Sequence, residues 1–280
     1  MIYKEFVPCA QLRPFVESFL LTNFEAEQGC HPVKPYPVRI EQALVFFARG
    51  YIEANEVQTG HRSRIAPNAL FGQQVSRLDF HTYSDPDFLM LMVIFRPGGL
   101  HQLLGVPSHE LTKNFIDAGL LLSSELQKVN DRIANSRSYA EMITCAEHFL
   151  IRQCKNATIG NNPVDRIAEV LTESPWKFSL DWLACQANLS PRQFERRFKD
   201  RMGVGPKFYS RISRFSKAFL FKEANPAIDW LSVSLRFGYT DYNHLCKDFK
   251  QFANTTPNIM IQEYSQRPEA VLFEKDSNDN

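Results

Sequence analysis

"LSPRQFERRFKD", residues 189–200, places two phenylalanines and several basic side chains on what the pattern predicts to be one helix. At about 3.6 residues per turn, Phe194 and Phe198 fall together on one side of that helix. The opposite side carries a basic stripe, formed by Arg192, Arg196 and Lys199. A single stripe of this kind is usually a solvated helix face, so alone it does not predict an anionic partner.

The same design recurs 51 residues further along the chain, in "DYNHLCKDFKQF", residues 241–252. In this second copy Leu245 and Phe249 take the inward positions of the two phenylalanines. The outward stripe of the second copy consists of Asn243, Lys247 and Lys250. Two matching stripes in one chain indicate a duplicated structural unit.

The residues before each stripe repeat as well, and they predict a preceding helix and a tight turn. Ser179 and Asp229 are suited to cap helix N-termini. Asn188 and Gly238, which follow, can take the left-handed conformation that ends a helix. Each copy is therefore predicted to be helix, short turn, helix. In such a unit the second helix enters the DNA major groove, where Arg, Lys and Asn hydrogen-bond to base edges.

A longer helix is predicted to connect the two units. It should begin after Gly205-Pro206 and end near Asn225-Pro226, because a residue before proline disfavours helical conformation. Its apolar positions follow a spacing of three and four residues and are Phe208, Ile212, Phe215 and Phe219. We expect this helix to act as a stiff connector.

Two motifs carry a resemblance to a known family. The first copy reads "FERRFKDRMGVGP" and the second "GYTDYNHLCKDFKQFANTTP", each with a proline eight residues after the phenylalanine of a Phe-Lys pair. On these motifs, residues 163–265 resemble the DNA-binding domain of the AraC/XylS family of bacterial transcription regulators. The second copy departs from the family pattern, with Lys247 in place of the usual Arg, Asn254 in place of Gly, and Ala253 in place of a larger apolar residue.

The resemblance implies which side chains meet DNA. In the first unit these are Arg192, Glu195 and Arg196, which approach bases. In the second unit they are Tyr242, Asn243, His244, Cys246 and Lys247. Lys199 and Lys250 lie further along each helix and suit phosphate contact better. An ion pair with Lys199 is an equal alternative for Glu195, and packing against a neighbouring helix is one for Tyr242 and His244.

The distribution of charge agrees with this assignment. Residues 163–265 contain 15 Lys and Arg against 11 Asp and Glu, a net charge of +4. Residues 1–162 carry −1 and residues 266–280 carry −2. An excess of +4 is modest, so specific contacts or dimerisation must contribute much of the DNA affinity.

The length of 280 residues predicts two domains. We expect a sensor and dimerisation domain at 1–155, a polar linker at 156–162, the DNA-binding domain at 163–265 and a tail at 266–280. The linker stretch reads "KNATIGNNP", and Asn162 with Pro163 suits the cap and first residue of the next helix.

The N-terminal domain is predicted to be mainly β, followed by helices. "QALVFFARGYIEA", "ALFGQQVSRLDFHTY" and "DFLMLMVIFRPGG" read as strands, with Leu78, Phe80 and Thr82 alternating. Helical patterns then occupy "GLHQLLGV" and the segments near 121–135 and 138–154. The predicted fold class is α+β: a small barrel with a helix pair, then an all-α domain. The resemblance implies a cupin-like barrel that senses an effector, with helices that dimerise.

An alternative is a ligand-binding or enzymatic barrel with an accessory helical domain. Metal-dependent barrels of this kind usually carry a His-x-His pair on one strand, and none of the seven histidines forms one. No phosphate loop, nucleophile elbow or metalloprotease motif is found. The six cysteines show no metal spacing; for Cys185 and Cys246 a buried or merely small residue is the simpler interpretation, and redox sensing has no support. We therefore predict no enzymatic activity, cofactor or metal.

The expected setting is the bacterial cytoplasm, since no apolar run suggests a signal segment or a membrane span. The expected partners are double-stranded DNA and a small-molecule effector, with a homodimer and a contact with RNA polymerase that activates transcription implied by the family resemblance. The identity of the effector and the target operator does not follow from the sequence.

Overall fold

A computed structural model describes residues 2–25, 31–84, 87–122, 125–154, 162–175 and 178–270. Of the predicted linker only Asn162 lies within these ranges, and of the predicted tail only residues 266–270. The described chain begins with β-structure and ends with helices, as the α+β prediction required. The strands are β1 Ile2–Phe6, β2 Val16–Glu25, β3 Val33–Tyr36, β4 Ala43–Arg49, β5 Tyr51–Glu56, β6 His61–Arg64, β7 Asn68–Phe71, β8 Leu78–Tyr83, β9 Asp87–Phe95 and β10 Phe115–Asp117.

The helices of the N-terminal part follow the strands, with one short helix on either side of β10. They are α1 Gly99–Leu104, α2 Ala118–Leu121, α3 Glu125–Ala134 and α4 Tyr139–Gln153. The helices of the C-terminal part are α5 Pro163–Glu173, α6 Leu180–Gln186, α7 Pro191–Met202, α8 Pro206–Ala224, α9 Trp230–Arg236, α10 Tyr242–Phe252 and α11 Pro257–Ser265.

The strands form two antiparallel sheets. The first has the order β1-β2-β9-β4-β7-β10 and the second the order β3-β8-β5-β6. The inner faces enclose a shared apolar core, to which β4 contributes Val45 and β5 contributes Ile52. On β8 the buried residues are Leu78, Phe80 and Thr82, which confirms the predicted alternation. The cupin-like barrel of the sequence prediction is thus built as two facing sheets.

The outer face of the first sheet is covered by helices. Leu44 and Leu91 point to this side and share a core with Leu126 on α3 and Phe149 on α4. The helix pair predicted near 121–135 and 138–154 is confirmed in α3 and α4. Strand β10 was not predicted: its three residues lie in a helical stretch of sequence, and pairing with β7 holds them extended.

Two separate apolar cores support the C-terminal helices. One contains Phe194 and Phe198 of α7, and the other contains Leu245 and Phe249 of α10. Helix α8 is shared, because Phe208 packs against both cores. The helix begins at Pro206 and ends at Ala224, as the flanking prolines predicted. It is the rigid connection between the two units.

The turns inside the two units are equivalent. Asn188 and Gly238 have φ angles of 53° and 72°, the predicted left-handed conformation. In the first unit the N–H of Leu189 donates to the carbonyl of Ala184 at 3.0 Å, and in the second Tyr239 donates to Ser234 at 3.0 Å. The duplication seen in the sequence is therefore reproduced in backbone geometry. Asn254, which follows α10 and stands where the family pattern has Gly, also takes the left-handed conformation, with a φ of 52°.

Candidate nucleic-acid interface

Helix α7 is capped at both ends by local interactions. The Ser190 hydroxyl accepts from the N–H of Gln193, and the Gln193 side chain accepts from the N–H of Ser190, a capping box that fixes the N-terminus. Gly203, with a φ of 85°, ends the helix. Phe194 and Phe198 are both fully buried. The inward side of α7 is thus anchored along its length.

The outward side of α7 is free of the rest of the molecule. Arg192, Arg196 and Lys199 are all exposed, and Glu195 lies among them. Among the described residues Glu195 and Lys199 form no salt bridge, so the alternative of an ion pair between them is not observed. Arg197 is exposed as well. Sequence reasoning passed over Arg197, although it stands beside Arg196 in the stretch that defined the stripe.

Helix α10 presents its stripe in the same manner. Asp241 caps its N-terminus by accepting from the N–H of His244 at 2.7 Å. Asn243, Lys247 and Lys250 are exposed, as the repeat predicted. Both predicted stripes therefore lie on the surface of the monomer.

Three other residues of α10 that were predicted to contact DNA are partly buried. The His244 ring lies edge-on to Tyr239 with centroids 5.2 Å apart, and its Nε2 is 3.3 Å from the Nη2 of Arg214. Burial raises the pKa of Tyr242, and a hydrogen bond with Cys246 raises it further. The packing alternative for Tyr242 and His244 is thus observed. Cys246 is half-buried between them.

A buried carboxylate fixes α10 against the connector helix. Asp248, which is 1% exposed, accepts from the Nη2 of Arg211 at 2.6 Å and from the Nη2 of Arg214 at 2.9 Å. The hydroxyl of Tyr239 donates to the same carboxylate at 3.1 Å. Burial, and then the charge of Asp248, raises the pKa of Tyr239, which keeps this donor protonated. Sequence reasoning missed Asp248, whose partners lie 34 and 37 residues away.

A second buried carboxylate holds α7 and joins it to the N-terminal part. Asp165 on α5 pairs with Arg201 through both carboxylate oxygens. The side-chain amide of Gln102 on α1 donates to the same carboxylate. A Cβ at Gly98 would lie 2.2 Å from an oxygen of Asp165, so only glycine allows this approach.

The N-terminal part also donates hydrogen bonds to the C-terminal ends of α7 and α10. The N–H of Ser108 donates to the carbonyl of Asp200 at 2.8 Å, and the N–H of Val38 donates to the carbonyl of Phe252 at 3.2 Å. Thr112 donates its hydroxyl hydrogen to Gly203 at 2.8 Å. Carbonyls in the last turn of a helix have no partner within the helix, so these contacts satisfy them.

The two sheets enclose a cavity of about 140 Å³. Its wall is apolar and includes Phe47, Phe80 and Met92. Pro268 and Glu269, which follow α11, close one end. The C-terminal part thus contributes directly to the boundary of this cavity.

Other features of the described residues bear on the alternatives. No group of three or more His, Cys, Asp or Glu that could hold a metal ion occurs in the ranges that the structure describes. No helix in the same ranges is long and apolar enough to cross a membrane. Cys185 is exposed, so of its two simple interpretations the buried one does not apply and the small-residue one remains. Cys30 lies outside the described residues.

Two helix-turn-helix units, joined by one helix and exposing matching polar and basic stripes, define a double helix-turn-helix DNA-binding domain. Comparison with known families agrees. Residues 183–262 match a family described as a helix-turn-helix domain, and residues 4–117 match a family described as a domain of unknown function, DUF6597. The match to a helix-turn-helix domain agrees with the resemblance seen in the motifs of the C-terminal part.

The curated relatives that the chain matches are regulators. It is 24% identical over 171 residues to an uncharacterized HTH-type transcriptional regulator of Haemophilus influenzae, a match covering 60% of this chain and 57% of the relative. It is 28% identical over 102 residues to the HTH-type transcriptional regulator MtrA of Neisseria gonorrhoeae, covering 36% and 33% respectively. The matches span less than two thirds of either relative.

The chain also matches solved structures of other proteins. ToxT from Vibrio cholerae is 11% identical, with 88% of this chain and 99% of ToxT covered at a TM-score of 0.49. The DNA-binding domain of AdpA, solved in complex with a target DNA, is 23% identical, with 39% of this chain and 98% of AdpA covered at a TM-score of 0.35.

Proposed function

We propose that this protein is a sequence-specific DNA-binding transcription regulator that inserts α7 and α10 into successive major grooves. One observation carries the proposal: two exposed stripes occupy equivalent positions on two helices that are braced against the same connector, α8. Recognition helices held at a fixed separation suit two grooves about one helical turn apart on one DNA face.

The proposed base contacts are the exposed side chains near the start of each recognition helix. In the first unit we assign them to Arg192 and Arg196, whose guanidinium groups can form paired hydrogen bonds with guanine. Glu195 is a candidate acceptor from cytosine. In the second unit Asn243 and Lys247 are the more exposed residues, and Asn suits adenine. The remaining candidates are half-buried and would contact DNA at their edges only: Tyr242, His244 and Cys246.

Phosphate contacts are assigned to the side chains further along each helix. Lys199 and Lys250 are exposed near the C-terminal halves of α7 and α10. Arg197 joins them, because it is exposed and projects beside the first stripe. Contacts of this kind fix register and orientation without reading sequence.

Control by an effector in the N-terminal barrel is supported by the contacts between the two parts. Ser108 and Thr112 bond the end of α7, and Val38 bonds the end of α10, so a shift of the barrel would alter both recognition helices. Residues that follow α11 close the barrel cavity. An effector regulates only if it binds two arrangements with different affinity, and a ligand in a cavity bounded by both parts would lose contacts if they moved apart.

The wider assembly is proposed on the family resemblance alone. We propose a domain division at 1–155, 156–162, 163–265 and 266–280, and a homodimer formed through α3 and α4. We propose that the protein contacts RNA polymerase, activates transcription and acts in the bacterial cytoplasm, where its DNA lies. It is proposed to have no enzymatic activity.

The test is DNA binding by the full chain. A preferred duplex is selected from random sequences, and its affinity is measured against an unselected duplex over a range of salt concentrations. We expect preferential binding whose logarithm falls linearly with the logarithm of salt concentration. Absence of any preferred duplex, or affinity that does not change with salt, would contradict the proposal and favour a barrel with an accessory helical domain.

A further inference from the structure

The barrel cavity has the size of a small organic molecule. Its volume is about 140 Å³. An apolar cavity of about 150 Å³ in another protein binds benzene. The cavity therefore suits a ligand with a single ring or a short branched chain.

Most of the cavity wall is apolar and aromatic. The side chains come from both sheets, so a ligand there would lie in the core between them. The apolar lining residues include Leu20, Phe24, Val45, Phe47, Ile52, Phe71 and Phe80, with Phe88, Met90, Met92 and Ile94 of β9. Such a wall favours an apolar body, because burying apolar surface away from water is favourable.

The charged side chains of the cavity lining are Lys34 and Arg39 against Glu5, Glu41 and Glu269. Lys34 donates to an oxygen of Glu269, and Arg39 lies near Glu41 with its ring neighbours Tyr36 and Tyr264. Burial lowers the pKa of Lys34, but the charge of Glu269, the hydrogen bond to it and the neighbouring tyrosines together raise that pKa overall. Lys34 is therefore protonated at neutral pH.

Within the part of the chain that the structure describes, three polar atoms of the cavity lining have no hydrogen-bond partner. They are the Oγ1 of Thr22, the Nε of Arg39 and the Oε2 of Glu269. Glu269 is only 8% exposed. A buried polar atom without a hydrogen bond is costly, so such atoms mark a place where a bound molecule completes the bonding.

We propose that this cavity binds a compact, neutral alcohol or phenol, with the hydroxyl placed at Glu269. The proposal rests on the effector control proposed above and names the effector's chemical class. A hydroxyl can donate to the carboxylate oxygen of Glu269 and accept from Thr22 or Arg39, whose free atoms include both a hydroxyl and an N–H. A hydroxyl meets both requirements through a single small group and without adding charge.

Charge distinguishes the hydroxyl from its alternatives. A carboxylate head would meet the negative charge of Glu269 in a poorly solvated site. An ammonium head has donors only, so it could not accept from the Nε–H of Arg39, and it would add a cation beside Lys34 and Arg39. A neutral hydroxyl avoids both costs.

The position of Glu269 gives ligand binding a consequence for the C-terminal part. Glu269 follows α11, whereas Thr22 lies on β2 of the barrel. A hydroxyl bonded to both sides would stabilise the closed arrangement, in which the barrel also bonds the ends of α7 and α10. The ligand thereby biases the disposition of the recognition helices.

The experiment compares four probes that share one ring: benzyl alcohol, toluene, benzylamine and benzoate. Binding to the full chain is measured by calorimetry. We expect benzyl alcohol to bind about tenfold more tightly than toluene, and benzylamine and benzoate to bind more weakly than toluene. Any of three results would overturn the proposal. They are equal affinities for toluene and benzyl alcohol, a highest affinity for one of the charged probes, and no measurable binding of any probe.

Two variants test the assigned atoms. Glu269→Gln should reduce the preference for benzyl alcohol and improve benzoate binding, because the repelling charge is gone. Thr22→Val, which keeps the shape of the side chain, should reduce benzyl alcohol binding but leave toluene binding unchanged. Glu169→Gln on the exposed face of α5 is the matched control and should behave as the parent. If Glu269→Gln leaves all four affinities unchanged, Glu269 does not contact the head group of the ligand.

DNA binding by the same preparation separates this inference from the proposed function. Selected DNA bound in the absence of any probe binding would overturn the ligand assignment and leave the regulator proposal standing. Probe binding in the expected order without DNA binding would overturn the regulator proposal and leave the ligand assignment standing.

Discussion

The N–H of Ser108 donates a 2.8 Å hydrogen bond to the carbonyl of Asp200 in the last turn of α7. A corresponding bond joins Val38 to Phe252 at the end of α10. The N-terminal part therefore holds the same end of both recognition helices. Under the proposed function these main-chain contacts would connect regulation to DNA recognition, without any need for a ligand to touch the DNA-facing side chains.

Loss of the Thr112 hydroxyl should loosen the end of α7. In Thr112→Val the carbonyl of Gly203 loses its 2.8 Å donor, at a cost of about 1 kcal/mol. We expect faster amide hydrogen exchange around Gly203. Thr144→Val is the control, because the Thr144 hydroxyl bonds only within α4, to Ala140. Equal exchange around Gly203 in both variants would show that Thr112 does not hold this end of the helix.

Arg196→Ala should weaken binding to the selected duplex by about 1 to 3 kcal/mol and relax preference at one base pair. The reason is the loss of a paired hydrogen bond to a base. Gel-shift titrations on duplexes with single substitutions measure both effects. Arg137→Ala, an exposed arginine just before α4, is the matched control. Equal losses of affinity for selected and random DNA would show that Arg196 contacts only phosphate groups.

Lys199→Ala and Lys250→Ala should each reduce the salt dependence of DNA binding. Removing one phosphate contact lowers the slope of log affinity against log salt by about one. Affinity should fall to a similar extent on all sequences. Lys128→Ala on the exposed face of α3 should leave the slope as it is. A sequence-dependent loss would instead assign Lys199 or Lys250 to base contact.

Asp248→Asn should destabilise the second unit. The substitution removes the charge that two arginines of α8 share, at a cost of about 2 kcal/mol or more. We expect a lower denaturation midpoint, and a larger loss of affinity for a duplex that engages both units than for one that engages the first unit alone. Equal loss on both duplexes would mean that Asp248 does not set the position of α10.

Asp229 should make the start of α9 sensitive to acid. Its carboxylate accepts from the hydroxyl and the N–H of Ser232, and these bonds lower the pKa of Asp229. A lowered pKa means that the stabilisation is present at neutral pH and is lost as the pH falls through that pKa, below about 4. Asp229→Asn keeps a cap but cannot titrate, so helix content measured by circular dichroism should depend less on pH. The same acid transition in both proteins would assign it to other carboxylates.

Local features in the sequence predicted the C-terminal domain in detail. Caps at Ser179 and Asp229, left-handed turns at Asn188 and Gly238, and the periodicity of apolar residues all act within a few residues of chain. Such features depend little on the rest of the molecule, so their positions could be read directly. The exposed stripes followed from them, because burying one side of a helix leaves the other side outside.

The sequence by itself determined the duplicated helices and the sides they bury, because hydrogen bonding and packing over one or two turns fix both. Only the tertiary structure decided the order of the strands, the brace at Asp248 and the placement of Glu269 beside Lys34, 235 residues away along the chain. Contacts between distant residues leave no period or spacing in a single sequence. They arise when packed elements bring those residues together, and here they connect the cavity to the helices that face DNA.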